Sequence, residues 1–224
     1  MTTINPSHAI CVTRGIKNIL RISLPTMVRR RSFRFSLLLH DDSRAYVVAP
    51  HEMIRRFGLA GVVYVPLSTG FLPLPGRTAG FLSFVGLPHG DDFMSRTEGD
   101  PIQLSERFAE RDGVVPQKCR DWLELDWFQH MVVAIDPAEG AVYAFPEGAP
   151  LDSYVKLHRD VESLVYAFLA YGDFLETCGR RDNLDEAELH FKQKVSEFDH
   201  IPFAHEASEW SSIVEDIVEE NWSA

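Results

Sequence analysis

The sequence predicts an α+β domain: an antiparallel-rich sheet with helices packed against it. Three observations carry this reading. Residues 121–157 hold a succession of strand-sized apolar runs separated by turn residues. Residues 160–218 carry apolar stripes at helical spacing. The two kinds of segment are grouped along the chain and do not alternate as a parallel α/β sheet requires.

The elements follow in order. Residues 33–39 and 45–48 flank the polar cluster 40–43 and are able to pair as a hairpin. Pro50 suits a first helical turn and Gly58 a position just past the end, with Met53, Ile54 and Phe57 at helical spacing between them. Residues 61–66 read as a short strand closed by Pro66, and residues 68–77, with two glycines and two prolines, as a loop. A short helix over 78–85 stops at Gly86-Leu87-Pro88. Residues 89–111 are polar and aperiodic, hence loop. Residues 121–127 alternate, with Leu123, Leu125 and Trp127 on one side and Glu124 and Asp126 on the other. Residues 131–136 and 141–145 flank Pro137-Ala-Glu-Gly140 as a β-hairpin, and 154–157 adds a further strand. Asp160 caps a helix with the stripe Val161, Leu164, Val165, Phe168 and Leu169. Asn183 and Glu186 have capping-box spacing before Ala187, Phe191, Val195 and Phe198. Pro202 breaks the chain before a last helix striped by Trp210, Ile213, Val214, Ile217 and Val218.

Charge is unevenly spread over the 224 residues, whose net is −11. Residues 1–60 hold ten Lys/Arg and three Asp/Glu, while residues 182–224 hold two and twelve. The basic head, with Arg29, Arg30, Arg31 and Arg34, reads either as a contact for phosphates or an anionic surface, or as a loosely packed extension. The second reading extends to sequence upstream of the true start, with Met27 and Met53 as internal starts. No aromatic platform accompanies the arginines, which favours it. The acidic remainder argues against direct nucleic-acid binding, which needs a basic face, and suits a partner of opposite sign.

Cys11, Cys119 and Cys178 are far apart and form no Cys-x-x-Cys pair. That excludes a disulfide scaffold and the usual zinc ribbons, and fits reduced thiols in a cytoplasmic protein. No apolar run has membrane-spanning length. Phosphate-binding, nucleophile-elbow and zincin motifs are missing, so no catalytic residue, cofactor or metal ligand is assigned. A hydrolase built from Asp121, Glu124 or His130, and a Cys119–His130 nucleophile and base, have no local support. Trp122 and Trp127 stand five positions apart, so regular alternation cannot put both on one face. Core packing is the favoured reading for each tryptophan, and partial exposure of one among the acids, as at protein contact sites, is the alternative. The expected partner surface comprises Asp91, Asp92, Glu98, Asp100, Trp122, Glu124 and Asp126.

The stretch His51-Glu-Met-Ile-Arg-Arg-Phe-Gly58, then Val62-Val-Tyr-Val-Pro66, then Phe81-Leu-Ser-Phe-Val-Gly-Leu-Pro88 resembles the SUKH superfamily, specifically the SUKH-4 immunity protein family. Val133-Ala-Ile-Asp136 with Gly140-Ala-Val142 is similar to that family's hairpin, and Leu164–Leu169 and Phe203…Trp210…Ile213 to its helices. The resemblance covers about residues 46–222. The chain departs from it at Leu157-His-Arg-Asp160 and at Trp127-Phe-Gln-His130. Two domains are expected: a basic extension over 1–45 and a SUKH-4-like domain over 46–224. The resemblance implies a bacterial cytoplasmic immunity protein, not an enzyme. Such a protein binds and blocks a cognate toxin domain, a nuclease or nucleic-acid deaminase of basic character, with no membrane partner. A protein-interaction adaptor of the same fold without a toxin partner is the alternative, and the oligomeric state is open.

Overall fold

Residues 45–65, 74–90, 93–95, 102–109, 115–180 and 183–223 are described in the computed structural model. The first strand of the hairpin expected at 33–39 lies outside them, and residues 45–48 are irregular chain.

Helix α1 (Pro50–Phe57) begins at the expected proline and stops at Gly58, whose φ is 75°. The Glu52 carboxylate accepts the Ala49 N–H at 2.8 Å, closing the first turn. Met53 is fully buried. Strand β1 is shorter than the apolar run predicts. Only Val62–Val63 pairs, antiparallel to β2 (Leu87–Pro88). The reason is local: Val65 N–H bonds Leu82 O at 3.0 Å, turning the chain onto helix α2 (Gly76–Phe84). Gly86 ends that helix's turn at φ 83°, where a Cβ would stand 2.7 Å from Val63 O, so the position needs glycine.

The main sheet is a five-stranded antiparallel meander. Its strands are β3 (Phe93–Ser95), β4 (Leu123–Phe128), β5 (Met131–Ile135), β6 (Val142–Pro146) and β7 (Val155–His158). Two elements contradict the loop expected over 89–111: β3 itself and the one-turn helix α3 (Leu104–Arg107). Each is too short to show a period, and each exists through tertiary contact. β3 pairs with β4 along the sheet edge, and α3 packs Leu104 under Trp122 O, to which its N–H bonds at 2.9 Å. The β5–β6 hairpin forms as expected, with Gly140 at φ 75° donating to Asp136 O at 2.8 Å.

One face of the sheet carries Leu123, Leu125, Phe128, Met131, Val133, Ile135, Val142 and Ala144 into the main core. Helices α4 (Val161–Gly179), α5 (Leu184–Phe198) and α6 (Glu209–Ser223) cover it. Each fully buried large side chain contributes about 1.5–3 kcal/mol, so this layer dominates the fold's stability. Asp160 caps α4 through the Ser163 N–H at 2.8 Å. The capping box at α5 does not form. Asn183 adopts left-handed φ 46°, and its amide donates to the Glu186 carboxylate instead of the backbone. The opposite sheet face holds a second, smaller core of Trp122, Val132, Ala134, Tyr143 and Phe145 with Phe108 and Cys119. No helix among the described residues is long and apolar enough to cross a membrane.

Candidate partner-binding surface

Strand β4 was the centre of the expected surface, and its register decides what it presents. Glu124 pairs with Ala134 but Asp126 with Val133, so one extra residue is inserted at Leu125. This β-bulge shifts the alternation by one position. Trp122, Glu124 and Trp127 consequently share the small-core face, while Leu123, Leu125 and Phe128 share the main-core face. Trp127 thus leaves the side of Leu123 and Leu125 on which regular alternation places it.

Trp122 is 3% exposed and stacks on Tyr143 with centroids 4.2 Å apart. Glu124 is also buried, and Arg107 Nε lies 3.3 Å from its carboxylate, tying α3 to β4. Neither side chain stands open to a partner. Trp127 is half-buried at the rim of the same core. Asp126 occupies β4 opposite Ser95 and Val133. Asp91, Asp92, Glu98 and Asp100 lie outside the described residues.

The catalytic alternatives do not assemble. Asp121 precedes β4 and His130 follows it, so a six-residue strand, about 20 Å long, separates them. Cys119 has no exposed surface, and burial pushes its thiol up, away from the reactive thiolate. Among the described residues no group of three His, Cys, Asp or Glu side chains is placed to hold a metal.

A Ser-His-Asp set that the sequence did not suggest lies beneath the helices. His158, Ser163 and Asp199 are 0–2% exposed. Trp210 Nε1 donates to His158 Nε2 at 2.9 Å, so the ring proton sits on Nδ1, which donates to Ser163 Oγ at 2.9 Å. Ser163 then donates to Asp199 Oδ2 at 2.6 Å. In this order the serine donates its hydrogen bond to the carboxylate and accepts one from histidine. A nucleophilic serine needs the reverse, with histidine taking its proton. Burial lowers the His158 pKa, and Asp199 offsets only part of that. Burial also pushes Asp199 up. The His158 Nδ1–H dipole 3.6 Å away and hydrogen bonds from Arg159 N–H, Ser163 and Ile201 N–H outweigh this and hold its carboxyl below the usual range. The set is a sealed polar tie between β7, α4 and the chain before α6. Its members come from positions 5 to 52 residues apart, which leaves no local sequence signal.

The exposed surface of the helical layer is where charge gathers. Asp173 and Glu176 on α4 are about 60% exposed, and Asp185, Glu186, Glu197, Glu215 and Asp216 on α5 and α6 are exposed as well. Leu189 stands off the buried stripe of α5 and is 67% exposed. Part of this surface falls in residues 182–224, whose twelve Asp and Glu against two Lys mark it in the sequence. A sequence model of the SUKH-4 immunity protein family matches residues 48–216. No curated protein and no solved structure matches the chain.

Proposed function

Since the chain belongs to the SUKH-4 immunity protein family, we propose that it protects a bacterial cell by binding the cognate toxin domain of a polymorphic toxin system in the cytoplasm, one to one and without catalysis. The family match over most of the chain carries this reading. The acidic surface supports it: a nuclease or nucleic-acid deaminase needs a basic face for its substrate, and a carboxylate-rich protein is attracted to that face. Asp91, Asp92, Glu98, Asp100 and Asp126 add to the attracting field. Trp122 and Glu124 act behind it, by holding the second sheet face and α3 in place.

The test is co-expression with the toxin domain encoded in the adjoining gene. The toxin alone arrests growth, the full chain restores it, and the two proteins purify together with inhibition complete at equimolar ratio. The absence of both rescue and complex would overturn the reading. Inhibition at far below equimolar chain would point to catalysis instead.

A further inference from the structure

Helices α4 and α5 run antiparallel: Tyr166 meets Phe198, and Phe174 meets Phe191. Between them an open groove of about 590 Å³ faces outward. Its floor is apolar, formed by Phe174 and Phe191, stacked with centroids 5.4 Å apart, and by Ala170 and Ala187. Leu189 lines it too, and its exposure has no counterpart in the packing of α5. Asp173 and Glu186 stand on the rim. Lys194, also on the rim, is bonded to Asp173 at 2.9 Å. An apolar floor with exposed carboxylates at its edge complements an apolar side chain carried between cations. An acidic peptide would be repelled by the same edge.

We propose that this groove receives an apolar side chain of the toxin, borne on a basic segment whose Lys or Arg meets Glu186, since Asp173 is already paired with Lys194 and with Arg56, 3.7 Å away. The proposal rests on the toxin-binding reading and names its surface. Two kinds of effect separate. The apolar anchor sits centrally and excludes water, so its loss acts on the dissociation rate. The rim charges steer approach, so their reversal acts on the association rate and fades with salt.

The test measures binding of the full chain to the purified toxin domain by surface plasmon resonance, at low and high salt. Leu189→Arg is expected to weaken binding about tenfold or more, with an unchanged melting temperature because the side chain is exposed. Glu186→Lys is expected to slow association about threefold or more at low salt. Glu215→Lys on α6 makes the same charge change outside the groove and is expected to slow it less. Wild-type affinity in Leu189→Arg, or equal slowing by the two charge reversals, overturns the groove while leaving toxin binding intact. A wild-type chain that binds no toxin overturns both. A wild-type dimer that Leu189→Arg converts to monomer assigns the groove to a second copy and overturns the proposal.

Discussion

Trp210 Nε1 donates to His158 Nε2 across 2.9 Å, and neither residue retains exposed surface. Indole only donates, so the contact keeps Nε2 unprotonated and His158 neutral. Asp199 lies 3.6 Å from Nδ1, and Asp160 and Arg159 act on the ring more weakly with opposite signs. Burial still wins, and the folded pKa lies below the ordinary value of 6.5. Below that pH the unfolded chain takes up a proton that the native core refuses. Stability is therefore lost as pH falls, approaching about 1.4 kcal/mol per pH unit. Asp199 adds a second loss below its ordinary 3.8, since its native carboxyl stays ionised there. Urea unfolding from pH 8 to 4 should show this decline beginning near pH 6.5. His158→Gln, which can still accept from Trp210 and donate to Ser163, should start less stable but lie flatter between pH 6.5 and 5. Parallel profiles for the two proteins would refute the assignment.

The parts legible in the sequence were those whose cause is local. Pro50 and Gly58 bound α1, Asp160 caps α4, and Gly140 closes the hairpin, each near its expected place. The stripe of α6 is buried from Trp210 to Val214 as its spacing requires. What escaped depends on distant partners. Strand β3 is three residues beside β4, and α3 is a single turn held by Trp122 O and Glu124. The bulge at Leu125 has no marker in composition, yet it moves Trp127 to the face of Trp122. His158 closes β7, and its partner Trp210 is supplied by α6, 52 residues further along the chain.

The bulge makes two neighbouring deletions unequal. Leu125 and Asp126 together stand where one residue would face Val133. Deleting Asp126 leaves a regular strand with Leu125 still in the main core and Trp127 still on the small-core face. Deleting Leu125 leaves the same strand with Asp126 in the leucine's place, a carboxylate in an apolar core. Deletion of Leu125 should prevent stable folding, while deletion of Asp126 should keep a cooperative thermal transition. Equal loss in both would show that the inserted residue itself is required.

Two glycines should respond oppositely to alanine. At Gly61 a Cβ would stand 2.1 Å from Phe57 O, a backbone atom at the end of α1 that cannot step aside. Gly61→Ala should cost about 1–3 kcal/mol. At Gly172 a Cβ would meet the Arg56 guanidinium at 2.1 to 2.5 Å, the far end of a flexible side chain. Moving it breaks the Arg56–Glu176 pair, whose carboxylate is 60% exposed, for about 0–1 kcal/mol. Alanine in a helix interior returns about 1 kcal/mol. Gly172→Ala should therefore match the wild type or slightly exceed it in urea unfolding, and a loss like that of Gly61→Ala would contradict this balance.

Glu162 pins the start of the described chain to the helical layer. Its side chain is 7% exposed, and its carboxylate meets Arg77 Nη2 at 2.6 Å and also accepts the Val47 N–H. Arg77 in turn lies over the Tyr46 ring at 4.9 Å, and Tyr46 Oη donates to Arg77 O at 3.2 Å. The pair is asymmetric: the Arg77 side chain is 35% exposed and can turn to water, whereas the Glu162 carboxylate cannot. Arg77→Met strands a buried charge and should cost about 2–3 kcal/mol, below the range for fully buried pairs because Arg77 is partly solvated. Glu162→Gln removes the charge but keeps an acceptor for Val47, and should cost about 1 kcal/mol. In the double variant no charge is left stranded, so its cost should be smaller than that of Arg77→Met alone. Chemical unfolding of the three variants measures this, and simple addition of the two single costs would show that the pair is not coupled.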